Sequence, residues 1–153
     1  MKSGAVSCLS GSGRIDPRTA PISPLNLFQE RYRDDPWRVL CCAICLNLCT
    51  GTAFESVHRD LFSLWPTPLE MATADPDDLR CLLSQLGLQN RRAAALMRMS
   101  TAYACLWNGR DPMDLPGIGK YGSDSYRIFV RGELDVGPSD KELKRYLEWI
   151  RAS

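Results

Sequence analysis

Apolar residues recur along this chain at spacings of three and four, and no segment alternates in the manner of a half-buried strand. The pattern begins near Pro24. Ser23 or Asn26 can cap a short helix through Leu27, Phe28 and Arg31. Asp35-Pro36 then supplies a cap and a first-turn proline for a helix that opens at Trp37. This helix is apolar on nearly every side, so it is predicted to be the central buried one. Phe54, Val57, Leu61, Leu64 and Trp65 predict one amphipathic helix that Pro66 ends. Asp75-Pro76 repeats the cap-and-proline device ahead of Leu79, Leu82, Leu83 and Leu86, and Gly87 fits the stop. Asn90 is a candidate cap for the next helix, with Leu96, Tyr103 and Leu106 on its buried stripe and Gly109 closing it. A final helix starts near Ser139 and is expected to bury Leu143, Tyr146, Leu147 and Ile150. The fold class is all-α. Residues 1–22, rich in Gly, Ser, Pro and Arg, read as a disordered arm, which leaves 23–153 as one domain.

A length of 153 residues suffices for one domain with a real core, and 44% hydrophobic and 24% charged residues are ordinary for a soluble protein. Neither a membrane-spanning run nor a secretory h-region is visible. The net charge is only +1, but an acidic stretch over residues 54–80 separates two basic flanks. That distribution suits one cationic face, and equally an ordinary solvated surface. There are seven cysteines. Cys41, Cys42, Cys45 and Cys49 have the density of a metal motif, yet they lie in an apolar helical run where free Cys behaves as a small hydrophobe. Core packing is the preferred reading and no metal site is assigned.

The most informative segment is Leu115-Pro116-Gly117-Ile118-Gly119-Lys120-Tyr121-Gly122. Two glycines allow a tight turn and a close backbone approach, and Ile118 between them can plug the turn into the core. The helical stretch from Ser123 to Val130 follows, so free N–H groups would face an anion such as a DNA phosphate. A bare Gly-x-Gly fits a plain helix–helix turn; the full string favours a phosphate clamp. Lys120 either adds charge where the phosphate would sit or is simply solvated.

This hairpin, followed by Gly137-Pro138-Ser139-Asp140, resembles the helix-hairpin-helix (HhH-GPD) DNA glycosylase superfamily. More narrowly, Gly117 to Gly122, Asp124-Ser125-Tyr126-Arg127-Ile128-Phe129, Asn26-Leu27, Gln29-Glu30 and Asp35-Pro36-Trp37 resemble the glycosylase domains typified by methyl-CpG-binding domain protein four. The resemblance runs from about Pro24 to Trp149. It implies two helical lobes with a base-binding cleft between them, and a partner of double-stranded DNA with a G·T or G·U mismatch, including in CpG context. It further implies a monomer, nuclear residence and no membrane association.

Cutting an N-glycosidic bond creates positive character on the sugar, which a nearby carboxylate stabilises while orienting water. The resemblance assigns that role to Asp140; ordinary helix capping is the plain alternative. Endonuclease III-like relatives carry a Schiff-base lysine after the hairpin's basic position. Here Lys120 aligns with the basic position and Tyr121 with the nucleophile, and a phenol cannot form a Schiff base. The implied enzyme is therefore monofunctional, leaving an abasic site uncut. No cysteine follows Cys105, so the C-terminal four-cysteine iron–sulfur cluster of some relatives is not expected. No cofactor is implied beyond a monovalent cation at the hairpin.

The same resemblance puts Gln29 and Tyr121 in the base pocket. DNA contacts are implied for Leu48, Thr50, Gly51, Leu88, Arg91, Gly117, Gly119, Lys120 and Lys141. Two positions depart from the pattern: Leu48 stands where relatives typically have Arg, and Glu142 where they tend to have Lys. Leu48 can still wedge into DNA, but both changes remove positive charge. A related enzyme for an oxidised or alkylated base, and a non-catalytic DNA-binding module, are the competing readings. Asp140 and Tyr121 favour an enzyme; Leu48, Glu142 and the low net charge lean toward the module.

Overall fold

The computed structural model describes residues 13–153. Its helices are α1 (Phe28–Arg31), α2 (Pro36–Leu46), α3 (Gly51–Glu55), α4 (His58–Leu64), α5 (Pro68–Ala72), α6 (Pro76–Leu83), α7 (Gln89–Cys105), α8 (Lys120–Phe129) and α9 (Lys141–Arg151). Among the described residues the β pairing is limited to one isolated antiparallel bridge between Arg14 and Glu133. None of the described helices is long and apolar enough to cross a membrane.

Two apolar clusters define two lobes. The larger gathers Phe28, Trp37, Leu40, Phe54, Leu61, Met71, Leu79, Leu83, Leu96 and Met99 from α1 to α7. The smaller gathers Val39, Ile128, Phe129, Leu134 and Val136 with Leu143, Tyr146, Leu147 and Ile150 of α9. Helix α2 feeds both, because residues on its successive faces point into different lobes. It is the central helix that its all-round apolarity required, packed against α7 and α8. Cys41, Cys42 and Cys45 are fully buried there, and burial pushes each thiol up, the behaviour of packing residues. Among the described residues no group of His, Cys, Asp or Glu is arranged to hold a metal ion. Trp37 Nε1 donates to Ser100 Oγ at 2.9 Å, which pins α2 to α7 without an orphaned indole N–H.

Local signals placed several ends correctly. Asp35 accepts from Arg38 N and Asp75 from Asp77 N, each with proline in the first turn. Gly87 turns the chain after α6 at φ +78°. Helix α9 buries the four residues that its period selects.

Other expectations are corrected. Residues 13–22 are not a free arm: Ile15 and Ala20 are buried in the smaller lobe, Ile15 N donates to Gly132 O at 2.9 Å, and Leu134 N to Gly13 O at 2.8 Å. Gly132 is required for this, since a Cβ there would lie 1.8 Å from Ile15 O. Residues 1–12 of the expected arm lie outside the described residues. Neither Ser23 nor Asn26 caps α1. Instead the buried Glu30 carboxylate reaches back, accepting from Leu27 N at 3.3 Å and from Ser23 N and Oγ at 2.8 and 2.7 Å, so it serves the N–H of the N-cap residue Leu27 itself. The single helix expected from Phe54 to Trp65 is broken at Ser56–Val57 into α3 and α4; Phe54, Val57 and Leu61 are all buried across the break, and His58 bonds Glu55 and Tyr32. Asn90 is exposed inside α7, whose N-cap position is Leu88. Leu106 is 80% exposed, because α7 ends at Cys105, and Tyr103 is only half-buried. Helix α5, capped by Thr67, whose Oγ1 accepts from Glu70 N, with Pro68 in its first turn, was not anticipated.

Candidate active site and nucleic-acid interface

A cleft of about 650 Å³ opens between the lobes. Leu25 to Gln29 form one wall, Leu46 to Cys49 and Gly51 a second, and Tyr121, Ser139, Asp140, Glu142 and Leu143 the third. The expected catalytic carboxylate, the two base-pocket residues, Leu48 and Gly51 therefore share one cavity.

Each wall is held by bonds to the core. Gln29 lies buried at the floor, and its Nε2 donates to Tyr121 Oη at 2.8 Å and to Ser125 Oγ at 3.3 Å. Tyr121 Oη is thus an acceptor toward Gln29, and its own proton has no acceptor among the described residues. Burial pushes the Tyr121 phenol up to about 12, with the Asp140 charge adding to the rise, so it remains a neutral donor at physiological pH. Asp140 is the N-cap of α9, where its Oδ2 accepts from Leu143 N at 3.0 Å. Capping and cleft lining are simultaneous, since the carboxylate has a second oxygen.

The Asn26 corner of the cleft is braced from behind. Asn26 takes φ +57°, and its Oδ1 accepts from Arg31 Nε at 3.1 Å. Arg31 stacks on the Phe28 ring at 4.4 Å and gives one N–H from each terminal nitrogen to Glu55, which also bonds His58 Nε2 at 3.0 Å. These hydrogen bonds from Arg31 and His58 hold the Glu55 carboxyl down to about 2.

A second groove, about 270 Å³, adjoins the first and shares Asn47, Leu48 and Tyr121 with it. Leu88, Arg91, Arg92, Gly117, Gly119 and Lys120 line it. Gly117 takes φ +80°, and a Cβ there would meet Ala95 Cβ at 3.1 Å, so the turn requires glycine. Gly119 differs. A Cβ there meets nothing within 4 Å, and no side chain caps α8, so its free N–H groups open on the groove. Ile118 is buried as the plug.

Leu48 at φ +62° and Leu88 at φ +49° both hold left-handed backbone, and both side chains are exposed, at 79% and 46%. One residue missed in the sequence explains how both are held. Buried Arg92 donates to the carbonyls of Leu86 and Gly87 on one loop and of Asn47 on the other. Its signal was only an Arg one turn into an apolar helix, which any solvated residue matches. Thr50 caps α3, accepting from Ala53 N at 3.1 Å, and Lys141 is exposed at the start of α9; neither lines the cleft. Arg91 is exposed. Lys120 is not simply solvated, since its ammonium donates to Asp124 Oδ2 at 2.8 Å and to Gly137 O at 3.0 Å.

A glycine hairpin opening a helix beside an inter-lobe cleft with a capping aspartate defines a helix-hairpin-helix protein of the Gly/Pro-Asp class. Residues 41–153 match the family model described as "HhH-GPD superfamily base excision DNA repair protein". The chain belongs to that superfamily. It is 36% identical over 133 residues to the methyl-CpG-binding domain protein 4-like protein of Arabidopsis thaliana, covering 86% of this chain and 29% of that one. It is 28% identical over 126 residues to a thymine/uracil-DNA glycosylase of Pyrobaculum aerophilum, covering 78% of this chain and 54% of that one. The chain thus spans about half or less of these relatives' lengths. The fold is shared with a trapped endonuclease III–DNA covalent intermediate (TM-score 0.63, 20% identity, 72% of this chain and 55% of that one). It is shared also with a thermostable thymine-DNA glycosylase (TM-score 0.62, 18% identity, 78% and 69%).

Proposed function

We propose that this protein is a monofunctional DNA glycosylase that removes thymine or uracil mispaired with guanine. The observation that carries the reading is the convergence of Asp140, Tyr121 and Gln29 on one cleft, with Tyr121 standing where a Schiff-base enzyme needs an amine. The hairpin N–H groups and Arg91 hold a phosphate beside the lesion. Leu48 and Leu88 enter the duplex as apolar wedges, and the target nucleotide swings into the cleft. There the Tyr121 hydroxyl donates to a carbonyl oxygen on the pyrimidine's polar edge. Asp140 opposes the positive charge that develops on the sugar and receives the proton of the attacking water. The water oxygen bonds to the anomeric carbon, the glycosidic electron pair leaves with the base, and the base is then protonated. An abasic site in intact DNA is the product.

Names of relatives support the reading: the archaeal relative is a thymine/uracil-DNA glycosylase. The test is single-turnover excision, with enzyme in excess, on duplexes carrying G·T, G·U and 8-oxoguanine pairs. Base release from G·T and G·U is expected, with strand breakage only after alkali. Release of neither base would refute the substrate, and breakage without alkali would refute the monofunctional chemistry.

A further inference from the structure

We propose that Lys120 is a positioning residue, a strap that fixes the loop carrying Asp140, and not a contact to DNA phosphate. The inference rests on the glycosylase reading for its activity test, and on geometry alone for its second test. The side chain is 54% exposed along its length, but its charged end is committed. Two of its three N–H donors go to Asp124 Oδ2 and to the Gly137 carbonyl. Asp124 sits one turn further along α8 and is only 4% exposed, so its carboxylate is a fixed anchor. Gly137 lies between buried Val136 and buried Pro138, three residues before Asp140.

The consequence follows from what each end carries. Residue 121, next to Lys120, supplies the phenol of the third cleft wall, and the Gly137 loop leads into the carboxylate of that same wall. Lys120 is therefore a direct bond between the two segments that build this wall. Asp140 is held from the loop side through Lys120 and from the helix side through Leu143 N. The nearby Asp124 carboxylate also cancels the ammonium's charge, so little field remains for a phosphate. A partly exposed ion pair adds little stability, which leaves geometry as the larger part of its worth. Misplacing a catalytic group by about 1 Å can cost about a hundredfold in rate.

The test uses Lys120→Gln, Asp124→Asn and Lys120→Arg, each confirmed folded by its melting transition. At saturating enzyme, Lys120→Gln and Asp124→Asn should slow single-turnover excision by about ten- to a hundredfold, and Lys120→Arg should largely restore it. The affinity for duplex and its salt dependence should not move. A phosphate contact gives the opposite pattern. Lys120→Gln would then flatten the slope of log affinity against log salt by about one, and Asp124→Asn, which frees the ammonium, would bind tighter at full rate. That pattern overturns the proposal. Amide exchange in the DNA-free protein supplies the second test. Leu143 N–H should exchange faster in Lys120→Gln and Asp124→Asn than in wild type or Lys120→Arg; equal protection in all four overturns the strap. Wild-type protein inactive on every duplex would refute the glycosylase reading, and the exchange result would still decide the strap.

Discussion

Replacing Asp140 by Asn removes one negative charge and almost no volume. The bond from Leu143 N, at 3.0 Å, survives, since Asn caps a helix about as well as Asp. The loss to folding is the interaction of the charge with the α9 terminus, about 0.3–1 kcal/mol. In a domain of this size that lowers the melting temperature by no more than about 4 °C. The loss to catalysis is far larger. Without a general base the rate falls by about two to four orders of magnitude, and lost charge stabilisation in the cleft adds to it. A fall of at least about a thousandfold is expected, equivalent to about 4 kcal/mol of barrier. Affinity for mismatched duplex should hold or improve, because a negative charge near phosphates is gone. The assay is single-turnover excision with excess enzyme, alongside binding and a thermal melt. Wild-type rates in Asp140→Asn would refute the catalytic assignment and leave Asp140 a helix cap.

Tyr121→Phe removes the acceptor for Gln29 Nε2, a net hydrogen bond of about 0.5–1.5 kcal/mol, and should slow excision while leaving it measurable. Because the phenol is held up at about 12, the wild-type rate should show no inflection from it below about pH 11; one absent from Tyr121→Phe would contradict this. Leu48→Arg should tighten binding to mismatched duplex and steepen its salt dependence by about one, and no change would mean that Leu48 does not face DNA. Arg92→Met strands three carbonyls and should cost about 3 kcal/mol in urea unfolding; a loss under about 1 kcal/mol would mean that the loops hold themselves. Glu55→Gln tests the Arg31–His58 brace. The Glu55 carboxyl is depressed from 4.5 to about 2 in the folded state, so its stabilisation is present above about pH 4.5 and lost as pH falls through 2. The melting gap between wild type and Glu55→Gln should close as pH falls toward 2; a gap independent of pH would deny the brace any net effect.

Features that depend on near neighbours were legible without coordinates. A cap followed by proline, as at Asp35 and Asp75, acts within one turn, and the stripe of α9 repeats within three or four residues. The hairpin was legible because glycine there answers a local backbone demand, and the burial of the cysteines because free Cys in an apolar helical run packs as a small hydrophobe. What sequence could not decide was partnership across distance. The resemblance put Gln29 and Tyr121 in one pocket, but their direct bond across 92 residues, and that of Lys120 to Gly137 across 17, appear only once the lobes are packed. Ile15 looked like part of an arm because its apolar partners come from the far end of the chain. The break at Ser56–Val57 was invisible for another reason: an apolar period survives a kink when both halves face the same core. Arg92 reads as surface until the loops ending at Asn47 and Gly87 turn their carbonyls toward it. Local chemistry chose the helices and the hairpin; burial, which sums over residues far apart in the chain, chose which side chains face the cleft.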